Sequence, residues 1–375
     1  MQEPNMCSKC LLDTTVPSIR FDEKGVCNFC KSHDLLLAHY RGKNRQQELS
    51  DIVAKIKSAG KGKDYDCIVG VSGGTDSTYT LYIAKQLGLK PLAVHFDNGW
   101  NTDEAVTNIK NVTSKLSVDL HTYVVDWEEF KDLQISFLKA SVPCVETPTD
   151  VGIHGALMKI ANDENVKYIL GGQSFITEGT VPRDWGYLDG TYIRTVQRAF
   201  GTKKIKSFPN LTLSKIFYFT FIKRIRQVPL LNYLEYSKTE AKARLREEFG
   251  WMDYGGHHYE NIYSKFAFGW YLPHKFNIDK RKVSLSGPVR SGLISRKEAL
   301  EALASPPDVQ EDLVEYCINK LGLTRKEFDD LYQLPKKSYH DYFTSESILK
   351  YFKPAIKLSV RAKIFTPVLY EKYFG

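Results

Sequence analysis

The sequence has little that would hold it in or across a membrane. No run approaches the roughly 18 uncharged apolar residues that a spanning helix needs. The start, Met1-Gln-Glu-Pro-Asn-Met6, has neither a basic region nor an apolar core, so no signal peptide is expected. Cysteine is scarce, with seven in 375 residues. Without a leader, those seven argue for a reducing, cytoplasmic setting and for metal or catalytic roles instead of disulfides. Two common phosphate-binding signatures are also missing. The absence of G-x-x-x-x-G-K-[ST] and of G-x-G-x-x-G excludes a Walker A loop and a dinucleotide fingerprint. Charge of either sign is not extreme. The net +8 suits an anionic substrate, nucleic acid or a membrane surface. The 42% hydrophobic content suffices for an ordinary core, and the length suits two domains or one with an appendage.

What is present centres on residues 64–88. Cys67-Ile-Val-Gly-Val71 is a short β-branched apolar run and reads as a buried strand. Ser72-Gly-Gly-Thr-Asp-Ser77 breaks it, and Tyr79, Leu81, Tyr82, Ile83 and Leu87 fit a helix that stops at Gly88. A strand, a glycine turn and a helix start together make an anion site. Free amides and the helix dipole point into the turn, and Gly73 and Gly74 let the backbone come close. Val71 leads into the turn, and Ser72, Thr75 and Ser77 add hydroxyls. Asp76 does not favour bare phosphate, so it is read as a helix cap or a Mg²⁺ ligand.

A second landmark is Cys7-Ser-Lys-Cys10 followed, after sixteen residues, by Cys27-Asn-Phe-Cys30. Two C-x-x-C turns supply four thiolates and close a tetrahedral site, which predicts structural Zn²⁺. The piece between them reads as two extended strands around Asp22-Glu-Lys-Gly25, a zinc-ribbon-like knob. His33 is read as a surface residue. Cys67 and Cys317 are read as core, and Cys144 as a bystander in a loop.

Elsewhere the pattern alternates. One helix is expected over residues 34–57, and strands over 91–97, 120–125 and 167–170. Helices are expected over 103–116, 127–139 and 151–165. This implies a parallel sheet with helices on both faces and a ligand at the C-terminal strand ends. Three strand ends therefore matter: residues 72–77, the end carrying His95 and Asp97, and Gly171-Gly172-Gln173. Beyond Gly172 the alternation stops. Residues 202–230 hold seven basic residues and no acidic one, and are read as a buried helix with a basic end. An interfacial helix or a partner-docking surface is the other reading. A helix is expected from about His258, with His257, Glu260 and Lys265 near its first turns. Lys280-Arg281-Lys282 is read as a solvated face or an anion site. The expected units are a zinc-binding module over 1–34, a nucleotide-binding domain over 35–205 and a mainly helical substrate and partner domain over 206–375.

The turn Ser-Gly-Gly-x-Asp-Ser after a strand resembles the PP-loop of ATP pyrophosphatases. Further blocks sharpen the resemblance: Phe21-Asp-Glu-x-Gly-Val-Cys-Asn-x-Cys30, Val94-His-Phe-Asp-Asn-Gly-Trp100 and Leu272-Pro-x-Lys-Phe-x-x-Asp-Lys-Arg-Lys282. With Gly-Gly-x-His-Tyr-Glu-Asn261, they are similar to the N-acetyl-sugar amidotransferases of bacterial lipopolysaccharide and pseudaminic- or legionaminic-acid pathways. The resemblance implies an α/β fold, PP-loop and adenine nucleotide alpha hydrolase-like (HUP-type). That fold is a parallel sheet with an N-terminal zinc-ribbon-like knob and a C-terminal helical domain.

The implied reaction turns an acetamido group of a nucleotide-linked sugar into an acetamidino group through an O-adenylyl imidate, in O-antigen synthesis. UDP-2,3-diacetamido-2,3-dideoxy-mannuronate is the expected substrate. ATP and Mg²⁺ would bind at Val71, Ser72, Gly73, Gly74, Thr75, Asp76, Ser77, His95, Asp97, Gly171, Gly172 and Gln173. Ser72, Asp76, Ser77 and Lys265 are the catalytic candidates. His257, Glu260, Lys280, Arg281 and Lys282 are the substrate-binding candidates. No Cys-His-Glu glutaminase set is present, so the resemblance implies a separate glutaminase subunit like that of imidazole-glycerol-phosphate synthase. No nucleic acid is expected, and only peripheral membrane contact. Two rivals are a tRNA-thiolating PP-loop enzyme, which needs a further cysteine pair, and a non-catalytic nucleotide-binding zinc scaffold.

Overall fold

A computed structural model describes residues 5–256, 258–307 and 309–374. Five parallel strands form one sheet in the order β3-β2-β1-β4-β5. They are β1 (Cys67–Gly70), β2 (Pro91–Asp97), β3 (Leu120–Val124), β4 (Tyr168–Gly171) and β5 (Arg226–Pro229). Register is set by pairs such as Val69 with Ala93 and Val69 with Leu170. Alternation along β1 sends Ile68 to one face and Cys67 and Val69 to the other. Ile68 packs with Leu92, Leu157 and Met158 under α6 (Thr147–Asp163). Val69 packs with Ala93 of β2, with Leu81 of α3 (Thr75–Gln86) and with Ile109 of α4 (Asp103–Leu116). The strand order reverses between β1 and β4, and their C-terminal ends open the crevice where ligands of such sheets bind.

Two helices, α1 (Asn28–Tyr40) and α2 (Arg45–Ala59), replace the one expected over 34–57. The break falls at Arg41-Gly-Lys-Asn44, where glycine and asparagine disfavour helix. Helix α1 carries Cys30, so the expected boundary at 34 lies inside it. β5 joins the sheet from beyond the expected boundary at 205.

The expected strand at 120–125 and the helices over 103–116 and 127–139 appear as β3, α4 and α5 (Trp127–Ala140). Beyond β4 come α7 (Phe175–Glu178), α8 (Gly190–Phe200) and α9 (Leu213–Phe217). The buried helix expected in 202–230 is not found. Instead α9 runs through a π-helical turn into β5, and Phe217, Tyr218, Phe221 and Ile222 are exposed. The basic flanks keep this short segment at the surface, and Thr220, Ile225 and Val228 turn inward.

Next come α10 (Lys238–Phe249), α11 (Ile262–Phe266) and α12 (Arg281–Arg290). The remaining helices are α13 (Arg296–Ala304), α14 (Glu311–Lys320), α15 (Arg325–Gln333), α16 (Glu346–Tyr351), α17 (Lys353–Arg361) and α18 (Pro367–Phe374). Capping boxes start α13 and α15 at Ser295 and Thr324. Among the described residues, no helix is long and apolar enough to cross a membrane.

Candidate active site

The turn after β1 is tied down from several sides. Ser77 Oγ donates to the Gly74 carbonyl at 3.2 Å and accepts from the Ser72 amide at 3.1 Å. The two serine hydroxyls lie 3.1 Å apart. The Gly73 carbonyl is turned outward, accepting from Trp251 Nε1 at 2.9 Å and Asn108 Nδ2 at 3.2 Å. That leaves the inner face of the turn to amides and hydroxyls. Thr75 Oγ1 is buried there without a partner. Gly172 at the end of β4 presses on α3. A Cβ on it would lie 2.9 Å from the Asp76 carbonyl and 3.0 Å from the Ser77 amide nitrogen. Gly171 lies beside it, while the Gln173 side chain folds back over Gly171 and stays exposed.

His95 links β2 to the turn. Nδ1–H donates to the Val71 carbonyl at 2.9 Å, and Nε2 accepts from Asn101 Nδ2 at 3.1 Å. Burial lowers its pKa, so the ring is neutral in this role. Asp97 accepts from the Gly99 amide and from Asn101, which shapes the end of β2.

Asp76 is the most heavily engaged residue of the turn. Its carboxylate accepts from the Tyr236 hydroxyl and pairs with Lys238 at 2.8 Å. Glu178 on α7 lies beside it. Burial first, then the Asp76 charge, push Glu178 up to about 7. Burial opposes the charge on Lys238, yet Asp76 and Glu178 outweigh it and raise that pKa. Sequence reading missed Tyr236, Lys238 and Glu178, which lie 100 or more residues from Asp76.

From the C-terminal half, Glu260 Oε1 accepts from Ser72 Oγ at 3.3 Å, and Tyr254 Oη accepts from the Thr75 amide at 3.2 Å. Glu260 Oε2 is buried without a partner. Asp76 and Glu178 supply hard oxygen donors of the kind Mg²⁺ takes, while Glu260 meets Ser72 of the same turn.

Other candidates lie elsewhere. Lys265 sits with its ammonium 5.1 Å from the centre of the Tyr259 ring, and Lys238 is the lysine that reaches Asp76. The basic triplet splits. Lys280 rests over Phe268 at 4.0 Å, and burial lowers its pKa against the pull of Asp150 and Glu146. Arg281 instead pairs with Asp279 at 2.7 Å and donates to the Ala302 and Ser305 carbonyls. Lys282 pairs with Asp13 of the cysteine knob at 2.5 Å. Consecutive residues entering a helix point in different directions, so three neighbouring cations do not form one patch. His257 lies outside the described residues.

The four cysteines gather as the spacing predicts. Their sulfurs lie within 4.8 Å of one another, with Cys7–Cys30, Cys10–Cys27 and Cys27–Cys30 at 3.8, 3.7 and 3.6 Å. A tetrahedron of about 2.3 Å Zn–S bonds has edges of about 3.8 Å, so the set fits Zn²⁺. From α12, the buried Arg290 donates to Cys10 Sγ at 3.1 Å and to Cys30 Sγ at 3.3 Å. Its charge offsets part of the negative charge of four thiolates around a divalent ion. His33 is not on the surface. It is buried, sits 3.0 Å from Ser291 Oγ and packs edge-on to Phe175, and burial lowers it to about 3. Cys67, Cys144 and Cys317 are buried, and the Cys144 sulfur accepts from the Tyr187 amide at 3.3 Å.

The pKa of Glu178 has a measurable consequence. An unfolded glutamate ionises near 4.5, while this one holds its proton until about 7. Between those values the native state binds more protons, so its contribution to stability falls as pH rises and is level above 7. Glu146 is raised to about 7 as well. Glu178→Gln should therefore gain Tm relative to wild type as pH rises from 4.5 to 7 in metal-free buffer. A profile parallel to wild type would refute the assignment.

Comparison with known proteins follows the same division. Residues 260–356 match the family described as LPS biosynthesis protein WbpG-like, C-terminal domain. Residues 66–153 match queuosine biosynthesis protein QueC. Uncharacterized protein MJ1599 of Methanocaldococcus jannaschii is 26% identical over 324 residues, spanning 82% of this chain and 97% of that protein. Two solved structures overlap with TM-scores of 0.28, too loosely to carry an argument. One is a predicted subunit of tRNA methyltransferase from Methanocaldococcus jannaschii, at 17% identity over 48% of this chain and 74% of that one. The other is NMN synthetase from Francisella tularensis, at 13% identity over 55% and 93%. The QueC match spans β1 and its turn, and the WbpG-like match begins at Glu260, which meets that turn. The chain thus joins a stretch similar to QueC, over its first strand and glycine turn, to a stretch similar to the WbpG-like C-terminal domain, and the two matches together support a WbpG-like reading within the PP-loop superfamily.

Proposed function

We propose that the protein is an AMP-forming amidotransferase that converts an acetamido group of a nucleotide-linked sugar to an acetamidino group. One observation carries the reading. Glu260, the first residue of the WbpG-like match, touches Ser72 of the phosphate-binding turn, so both halves line one cleft. The acetamido oxygen attacks the α-phosphorus of ATP, and the bond to pyrophosphate breaks. Ammonia then adds to the imidate carbon, and AMP leaves with the C–O bonding pair.

In this scheme the amides of the turn, with Ser72 and Ser77, hold the β- and γ-phosphates as charge builds on the departing pyrophosphate. Lys238 pairs with Asp76 and holds it in place. Asp76 and Glu178, with Glu260 at the edge, would hold Mg²⁺, which when bound neutralises phosphate charge and polarises the phosphoryl oxygens. Lys280 stands where an anionic part of the sugar nucleotide can reach it. Ammonia is supplied by a separate glutaminase subunit. We place the enzyme in O-antigen synthesis in the cytoplasm.

The direct test incubates protein, MgATP, ammonium and UDP-2,3-diacetamido-mannuronate, and follows AMP, pyrophosphate and product mass. The expected product is lighter by the difference between O and NH, formed one-for-one with AMP. A panel of acetamido sugar nucleotides that yields neither AMP nor amidine would overturn the reading. The tRNA-thiolating alternative needs a reactive cysteine pair beyond the zinc set. The three remaining cysteines are all buried, with none exposed to react, which disfavours it.

A further inference from the structure

Glu146 is a buried carboxylate with no part in the scheme above. It is the N-cap residue of α6 and is only 6% exposed. Helix α6 leads into β4 from the far edge of the sheet. Its N-terminus therefore lies at the C-terminal edge, beside the crevice. Glu146 Oε2 accepts from Ser264 Oγ at 2.6 Å, and Asn261 Oδ1 lies 3.3 Å from the same hydroxyl. Asn261 directly follows Glu260, which touches Ser72. The carboxylate is thus anchored one short step from the phosphate-binding turn.

Its other oxygen, Oε1, is buried without a partner. Tyr263, which directly precedes the Ser264 that holds Glu146, is fully buried, and its hydroxyl is likewise without a partner; burial first, then the Glu146 charge, raise its pKa. Orphaned polar atoms are rare in native interiors, and a cluster of them marks the place of a small polar species. The walls are aromatic. Tyr263 packs on Trp100 at 5.3 Å and on Phe266 at 5.7 Å. A carboxylate oxygen, a phenol oxygen and aromatic faces suit a small cation rich in N–H donors. They repel anions, and they lack the octahedral oxygen set that Mg²⁺ demands.

We propose that Glu146 Oε1 and Tyr263 Oη form an ammonium site, and that Glu146 takes the proton that turns ammonium into the attacking ammonia. This rests on the amidotransfer reading. The step balances. Ammonium gives a proton to the Glu146 carboxylate and becomes ammonia, whose lone pair forms the new C–N bond. The C–O bond breaks, and AMP leaves with one of the ammonia protons. Glu146 returns its proton to the amidine nitrogen, and the product departs as the amidinium. Burial holds Glu146 at about 7, where a carboxylate both accepts and returns a proton near neutral pH.

Two measurements test the proposal. Crystals of the full chain soaked in thallous acetate, an ammonium mimic, should show anomalous density in contact with Glu146 Oε1 and Tyr263 Oη, absent in Glu146→Gln. This result does not depend on the enzyme's substrate. In the kinetic arm, Glu146→Gln should lower ammonium-dependent amidine formation about 100-fold. Sugar-dependent ATP–pyrophosphate exchange should stay within about two-fold, since ammonia is not needed for adenylation. Tyr263→Phe should raise the KM for ammonium and leave exchange unchanged. If exchange and amidine formation fall together, Glu146 shapes the nucleotide site and the proposal fails. If the thallium peak is absent, the cation site fails. If wild type shows no exchange with any acetamido sugar, the amidotransfer reading fails, and the peak alone then decides whether a cation site exists.

Discussion

Gly73→Ala is expected to lower ATP-dependent turnover by about 1,000-fold or more while most of the fold survives. Gly73 has φ +77°, and a Cβ there would lie 2.3 Å from the Ala105 carbonyl oxygen and 2.7 Å from its Cα. Both are backbone atoms of α4, so no side chain can swing away. Relieving the clash means moving the turn, which breaks the hydrogen bonds from Trp251 and Asn108 to the Gly73 carbonyl. Loss of a single preorganised donor costs roughly 100- to 1,000-fold, and a displaced turn misaims several. Gly62→Ala is the matched control. Its φ is also +77°, but nothing lies within 4 Å of the new Cβ. It should cost only the left-handed strain, about 1–2 kcal/mol, and leave turnover intact. Gly74→Ala falls between them, since its Cβ would meet the movable side-chain ends of Glu260, Ser72 and Tyr254. Calorimetric ATP affinity for Gly73→Ala within about three-fold of wild type would sink the phosphate-cradle assignment.

Removing the metal from the cysteine knob should have the second large effect, and it should spread beyond the knob. Structural zinc contributes on the order of 10 kcal/mol to folding in small modules, because the site does not exist in the unfolded chain. Here the knob is also bolted to the C-terminal region. Arg290 reaches two of the sulfurs, and Arg296 donates to the Cys7 and Cys10 carbonyls. The Leu11 amide donates to Ser286 Oγ, and Lys282 pairs with Asp13. Losing the ion leaves Arg290 as a buried charge whose partners have scattered, a situation that costs several kcal/mol. Cys10→Ser, or exhaustive chelation, should abolish zinc binding at the four cysteines and lower Tm by roughly 10 °C or more. Amides of residues 281–290 should lose protection from hydrogen exchange along with those of the knob. Cys317→Ser, at a buried cysteine outside the cluster, should keep the metal and lower Tm by only a few degrees. Unchanged protection of residues 281–290 in metal-free protein would show that the knob is an independent appendage.

Much of the site was legible because its signals are local. The β-branched run at 67–71, the two glycines after it and the apolar spacing in 79–87 act over a few residues, and they specify a strand, a turn and a helix. The two C-x-x-C pairs carry their own geometry in the same way. The order of strands and helices through β4 followed from periodicity alone. Where local signals mixed, the reading slipped. The aromatic and basic run before β5 has helical spacing, yet it supplies an exposed turn and an edge strand. Lys280-Arg281-Lys282 read as one patch, yet the helix geometry sends Lys280 over Phe268 and the other two into structural pairs.

The sequence by itself determined that a glycine turn and a helix would follow a buried strand and that four cysteines would gather in one cluster. Only the tertiary structure decided which charges surround them. Tyr236, Lys238 and Glu178 gather on Asp76, Arg290 gathers on the thiolates, and Glu146 meets Ser264 and Tyr263. In each case the partners are 100 or more residues apart, except where a helix brings Ser264 and Tyr263 side by side. The reason is physical. Backbone preference depends on near neighbours. The cost of burying a charge is met by whichever distant group the packing brings within a few ångströms, and no local pattern encodes that choice.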